Sequence, residues 1–490
     1  MDTDQIIHSP VPASRSLAVA WGLLVSPGIL FLLLVLLILP LEIRDFLILA
    51  LAVLVLTLST RNFGMMWVAF ILYLPLIHLQ AGMFGQAKIS GIRIFLMIFL
   101  GTFLLLPKPR KFWPVLFKQP VFMGLVLFWG ANMVSAVVSG ELEAVFRVLS
   151  YLEPLVFFII SYFVVVRQPG NWRMLLWAIA LGGTYVILLG GLEWITQRPL
   201  VEILGIKYAV YNSEIMEFYL SEDRFGLGGR ISSTLLQPVY AGLFFSMYAI
   251  LSTYYVAIYR KYYRSWLLVL LPLCMGMVIL TASRGPILAL GVALLAFLVF
   301  SRQKGPTFVL TVIGLGVLIL AIIYLVPGLR AYMQASFDLS ERASGNVTQR
   351  INLTLTLFDF FKTNPLLGYG PGLIQKAARQ GTFGFSGLGG LENQYATILA
   401  DGGLLAGAAY VVFIIGVFTL ARKAYRSGNR ELRNAGMLLL VLAAYYFSVV
   451  VSVNAILAVG GYLFTIIVGG LAGLWDHHLQ YVYRNKHTPT

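Results

Sequence analysis

Residues 264–304 read RSWLLVLLPLCMGMVILTASRGPILALGVALLAFLVFSRQK. Two apolar runs, about 265–282 and 285–301, each approach the ~20 residues that an α-helix needs to cross hydrocarbon. Their far ends are basic, with Arg264 on one side and Arg302 and Lys304 on the other. Cytoplasmic loops gather Lys and Arg, so this spacing predicts a helical hairpin with both far ends inside. The tight turn Thr281-Ala282-Ser283-Arg284-Gly285-Pro286 then faces outside and carries a lone arginine.

The rest of the chain extends the pattern. Of its 490 residues 59% are hydrophobic and 11% charged, whereas a soluble domain carries roughly a quarter charged residues. The solvent of most of this fold is therefore hydrocarbon, where each charge is expensive. A net charge of +15 could indicate nucleic acid. The cations instead sit in short clusters between apolar runs, such as Lys108, Arg110, Lys111 and Lys118, which is how loops facing anionic lipid read. No nucleic-acid partner is expected. Cys274, the only cysteine, lies in an apolar run, so no disulfide can form within the chain and a packing role is expected.

Further apolar runs fall at about 17–39, 46–60, 63–80, 92–106, 120–139, 149–166, 172–195, 235–258, 307–326, 395–420, 435–456 and 459–475, the last two separated at Val459-Gly460-Gly461. The first, Leu17–Leu39, reads as a retained anchor rather than a cleaved signal. The expectation is an all-α polytopic membrane protein with about 12–14 transmembrane helices. With the N-terminus inside, alternation places the clusters at 108–118, 167–173, 260–264, 302–304, 422–433 and 484–486 on that same side, the C-terminus included.

Two long segments then fall outside, 196–234 and 327–394. The second is too long for a connector. Within it Thr348–Lys362 reads as an amphipathic helix with Ile351, Leu355 and Phe358 on one stripe, ended by Asn364-Pro365 and followed by the turn-rich Leu367-Gly368-Tyr369-Gly370-Pro371-Gly372. A single membrane domain over 1–490, capped by this large external loop with short helices, is the simplest organisation.

The informative polar residues are those breaking the positive-inside pattern. Arg284 is either an interfacial arginine snorkelling to lipid phosphate or an anion clamp, because guanidinium binds phosphate through parallel hydrogen bonds. Arg230 follows Gly226-Leu227-Gly228-Gly229 and precedes a helix start, an arrangement that suits either a plain loop or an anion site. Arg350 lies on the external amphipathic helix. Glu392 stands near the start of the helix from Tyr395, as a helix-start acid or as a general base. Asp401 is unusual within an apolar helix and could orient a partner group. Glu153, Glu193 and His78 are polar groups in or near spans for which structural partners are the default. No His, Cys or carboxylate cluster has metal-ligand spacing and no Walker-type loop is present, so neither a metal site nor a nucleotide or other cofactor is expected.

Several of these segments together resemble the O-antigen ligase and polymerase superfamily of membrane glycosyltransferases. They are Arg230 with Ser232-Ser233-Thr234 and Pro238, the Thr281-x-Ser283-Arg284-Gly285 turn, Asn364 to Gly372, and Glu392-Asn393-Gln394-Tyr395 followed by Leu399-Ala400-Asp401-Gly402-Gly403-Leu404. The resemblance covers about Arg230 to Gly407. It implies a GT-C-like fold in the bacterial inner membrane that transfers a glycan from an undecaprenyl-diphosphate carrier to an acceptor hydroxyl on the external face. It assigns Arg230, Arg284 and Arg350 to the diphosphate and Glu392 to the acceptor proton, with Asn393, Tyr395 and Asp401 in support. Its partners would be the lipid-linked glycan, the bilayer and a chain-length-regulating co-polymerase. Ligases of the family typically have histidine where this chain has Glu392, so polymerisation of repeat units is the first expectation and ligation to lipid A core or protein the second. A transporter is the reading of another class, but transporters place ionisable groups near the midplane and show repeated halves, and neither pattern is evident in the sequence.

Overall fold

The computed structural model describes residues 62–75, 81–84, 87–108, 112–198, 200–203, 231, 233–235, 237–258, 264–300, five helical positions between 314 and 330, 345–379 and 393–487. The expected spans 17–39 and 46–60, most of 307–326 and most of the 196–234 loop lie outside the described residues. So do Arg230, Glu392 and His78.

The described chain is helical apart from one short hairpin. Helix α1 (Asn62–Pro75) leads to strands β1 (Ala81–Phe84) and β2 (Ala87–Ser90), paired antiparallel, and then to α2 (Gly91–Leu105) and α3 (Phe112–Leu116). The long helices follow: α4 (Pro120–Ser139), α5 (Leu142–Arg167) and α6 (Asn171–Thr196). After α7 (Leu200–Ile203) and a single 3-10 turn (Ser233–Leu235) come α8 (Pro238–Ile258), α9 (Arg264–Leu280) and α10 (Arg284–Phe300). The large loop contributes α11 (Gly345–Thr363) and α12 (Leu373–Arg379). The chain closes with α13 (Gln394–Tyr425), α14 (Arg430–Val449) and α15 (Val459–His487).

Among the described residues, α4, α5, α6, α13, α14 and α15 are long and apolar enough to cross a membrane. This is a polytopic membrane protein. In hydrocarbon no hydrophobic force draws one apolar helix to another, so tight packing must do it, and small residues let backbones approach. Helix α15 lies against α5 in that way: a Cβ at Gly473 would stand 2.6 Å from the Tyr162 carbonyl oxygen, and one at Gly469 2.5 Å from that of Phe158. Helix α4 meets α13 likewise at Gly124 and Gly416. Val411, Ile415 and Phe418 on the far side of α13 stay exposed, the surface expected to meet lipid tails.

The two ends of the bundle differ in chemistry. At one end Arg173 pairs with Glu431 at 2.7 Å, the Tyr425 hydroxyl donates to the Phe300 carbonyl at 2.9 Å, and Gln119 and Tyr162 donate to the buried Asp476. The basic segments 167–173 and 422–433 therefore share this end, as positive-inside alternation requires. At the other end the Ile231 amide reaches the Leu280 carbonyl at 3.3 Å, and Gln394 N–H reaches the Val450 carbonyl at 3.0 Å. We call this second one the loop end.

Two expectations are corrected. The break between the last two spans is not at Val459-Gly460-Gly461. Helix α14 ends at Val449 and the connection runs through the mostly apolar residues 450–458, while both glycines sit inside α15. They are needed there for contact: a Cβ at Gly460 would strike Leu243, and one at Gly461 the Ala455 carbonyl oxygen. On α11, the face packed against the body is Leu353, Leu357 and Phe360, which meet Ile374, Ala396 and Ala400. The expected stripe of Ile351, Leu355 and Phe358 is exposed. Both faces obey the same helical spacing, and the anchoring of the chain just after Thr363 decides which one turns inward.

Candidate active site

The loop end is built around a break in α13. In an unbroken α-helix Leu404 N–H would donate to the Ala400 carbonyl and Leu405 N–H to that of Asp401. Gly403 instead adopts φ 65°, ψ −164°, and both bonds are exchanged. Leu404 N–H donates to Pro365 O at 2.8 Å and Leu405 N–H to Leu366 O at 3.3 Å. The freed carbonyls are taken by the loop: Tyr369 N–H donates to Ala400 O at 3.0 Å and Gly370 N–H to Asp401 O at 2.9 Å. The four groups freed by the break are all paired again, which matters because a buried unpaired one costs ~1–3 kcal/mol.

The glycines make this interlock possible. Gly368 and Gly370 have φ of 67° and 104°, and a Cβ at Gly368 would lie 2.5 Å from the Asp401 carbonyl carbon. Asn364 fixes the turn before them through its side-chain amide, which donates to Gly368 O at 2.5 Å.

Asp401 is 2% exposed. Its Oδ2 accepts from Gly372 N–H at 3.1 Å, and its backbone oxygen also accepts from the Ser135 hydroxyl at 2.8 Å. Its Oδ1 has no hydrogen-bond partner among the described residues. Arg147, on α5, is a nearby countercharge. Its Nη2 donates to Gln375 Oε1 at 3.1 Å, and its aliphatic part covers Gly372, where a Cβ would lie 3.1 Å from Arg147 Cγ. Next to it Lys376 pairs with Glu143 at 2.6 Å, and this hydrogen bond holds the Lys376 ammonium above its ordinary pKa.

The start of α13 is fastened to the α14–α15 connection by Gln394, which is fully buried. Its Oε1 accepts from the amides of Ala455 and Ile456 at 3.0 and 3.1 Å, and its Nε2 donates to the Tyr410 hydroxyl at 2.5 Å. Asn393 caps the helix, with Oδ1 accepting from Ala396 N–H at 3.2 Å. The Tyr395 hydroxyl donates to Phe447 O at 2.8 Å. Arg284 begins α10 at the same end, and its neighbour Gly285 abuts Ser452 so closely that any Cβ would collide with it.

Arg284, Asn393, Tyr395 and Asp401 are thus gathered at the loop end, the first three around the 450–458 connection. Arg350 occupies the first half of α11, with its side chain outside the described residues. Glu193 behaves as the default expected: its Oε2 accepts from Ser233 N–H at 2.5 Å, which ties the 3-10 turn to α6. Sequence reasoning gave no role to Gln394, quoted only within its motif, or to Arg147. Arg147 fell in a stretch read as connector, because the span seemed to begin near 149 whereas α5 begins at Leu142.

Residues 266–411 match the O-antigen ligase family model. This stretch of the chain is similar to O-antigen ligases. It runs from the first turn of α9 to the middle of α13. It contains Arg284, Arg350, the whole loop–helix interlock and the start of α13, and it bears out the resemblance drawn from the motifs. Arg230 precedes the matched residues, as do α4, α5 and α6, which complete the loop end around them. No curated protein matches the sequence.

Proposed function

We infer that the protein is a membrane glycosyltransferase that polymerises polysaccharide repeat units, each carried on undecaprenyl diphosphate, at the external face of the inner membrane. The observation that carries this reading is the placement of Arg284, the 364–372 loop and the first residues of α13 at one end of the bundle, all inside the stretch similar to O-antigen ligases. O-antigen ligase or polymerase-type glycan processing is what that similarity supports. The basic segments at the opposite end support the external face for this one.

In this reading the acceptor hydroxyl oxygen attacks the anomeric carbon of the donor sugar. The bond from that carbon to the phosphate oxygen breaks, and the diphosphate leaves with the electron pair. Arg230, Arg284 and Arg350 grip the diphosphate, whose charge grows as the bond breaks. Fixed cations lower the barrier because they act most strongly on that developing charge. Glu392 takes the acceptor's proton. Asn393, Tyr395 and Asp401 hold the frame on which these groups sit.

Glu392 in place of the ligase histidine favours polymerisation. The second reading, transfer to lipid A core or protein, is favoured by the ligase character of the matched family. The two differ in product. Purified protein given lipid-linked repeat units alone should yield a ladder of longer chains. A strict requirement for a second, carrier-free acceptor would establish ligation instead.

A further inference from the structure

In the first half of helix α5 the charged residues lie on one stripe. Glu143, Arg147, Ser150 and Glu153 follow at helical spacing from the loop end inward, so all four stand on one face. Each meets a different neighbour: Lys376 and Gln375 from α12, Arg93 from α2 and Tyr462 from α15. Ionisable groups in a membrane helix are expensive, and an ion pair among apolar helices is seldom retained for stability alone.

The pair at the inner end of the stripe is arranged to present a cation. Glu153 is 6% exposed and accepts from Arg93 Nε at 2.7 Å and from the Tyr462 hydroxyl. Arg93 Nη2 donates to the Ser150 hydroxyl at 2.6 Å, yet the arginine side chain stays 42% exposed. Two of the five guanidinium N–H groups are thus engaged among the described residues and three are left. Arg147, exposed, spends one on Gln375. Two preoriented guanidiniums on one side of the loop end suit an anion with several oxygens.

This face is not that of Arg284. Arg284 lies beside the α14–α15 connection, where Gly285 abuts Ser452 and Gln394 holds the amides of Ala455 and Ile456, whereas Glu153 is met by Tyr462 of α15 and Arg93 of α2. We propose that Arg93 and Arg147 hold a lipid-borne diphosphate, that of the acceptor glycan, in a site separate from the donor diphosphate at Arg284. The proposal rests on the lipid-diphosphate reading above and gives it the second carrier site that a polymerase requires and a ligase does not.

The test is equilibrium binding of undecaprenyl diphosphate to the full-length protein in phosphatidylcholine nanodiscs, read as stoichiometry by native mass spectrometry. Wild type should take two copies. Arg147→Gln should weaken one event on the order of tenfold, the scale of one charge-assisted hydrogen bond. Arg284→Ala should weaken the other. Arg93→Lys, which keeps the charge beside Glu153, checks that the effect follows guanidinium geometry and not misfolding, and should weaken the same event as Arg147→Gln. One copy bound by wild type, lost in Arg284→Ala and kept in Arg147→Gln, overturns the second site and leaves the glycosyltransferase reading standing. Two copies retained by both Arg147→Gln and Arg93→Lys overturn it as well. Equal competition by phosphatidylglycerol at the Arg147-dependent site would make it a phospholipid site, contrary to the proposal. No binding by wild type would overturn both readings together.

Discussion

The amide of Gly370 donates to the carbonyl of Asp401 at 2.9 Å, replacing a bond that α13 gave up when it broke at Gly403. A segment that reads as loop therefore completes a membrane helix. Neither Asn364–Gly372 nor Leu399–Leu405 has a satisfied backbone without the other, which accounts for the two motifs occurring as a pair in this chain.

Gly403→Ala should damage the fold. Its φ of 65° with ψ −164° lies outside the region open to other residues, and a Cβ would run into the Leu366 carbonyl. The strain alone is worth ~1–3 kcal/mol. Thermal unfolding in detergent should show a clear drop in midpoint. An unchanged midpoint would mean that the break is not held as described.

Asp401→Ala removes the acceptor for Gly372 N–H and should cost ~1–3 kcal/mol. Asp401→Asn keeps an acceptor oxygen for that amide and should retain most of the stability. Protease sensitivity between α12 and α13 provides the readout, and equal cleavage in the two variants would contradict this role of the Asp401 carboxylate.

Much of the fold was legible in the sequence, and the failures have physical causes. Hydropathy located α4, α5, α6, α9, α10 and α13 to within a few residues, apart from the start of α5, because a span must be long and apolar. The interlock was not legible. A helix broken at Gly403 between Asp401 and Leu404 keeps an apolar pattern on both sides, and the pattern does not say where a carbonyl finds its donor. The turn before α15 was misplaced because Gly460 and Gly461 serve close packing, while the true connection is as apolar as the helices it joins. Arg284 and Asp401 stood out as charges in apolar surroundings. Gln394 did not, since nothing local marks an uncharged side chain that bonds to residues far along the chain.

Gln394→Ala leaves the amides of Ala455 and Ile456 without their acceptor and the Tyr410 hydroxyl without its donor. A loss of at least ~3 kcal/mol is expected, from three buried groups at ~1–3 kcal/mol each. Hydrogen exchange of the 450–458 amides should rise sharply, and unchanged protection there would contradict the role.

Arg284→Ala should abolish glycan transfer while the protein accumulates normally in the membrane. Arg284→Lys should restore little, because an ammonium cannot reproduce two parallel bonds to phosphate. Full rescue by lysine would leave only a charge requirement and no clamp.

The most direct measurement is the release of undecaprenyl diphosphate from lipid-linked repeat units by the purified protein in liposomes. The account predicts one carrier diphosphate freed for each glycosidic bond formed, with release lost in Arg284→Ala and lowered on the order of a hundred-fold or more in Glu392→Gln, the usual scale for loss of a general base. Movement of intact lipid-linked glycan across the bilayer, with no carrier released, would contradict it.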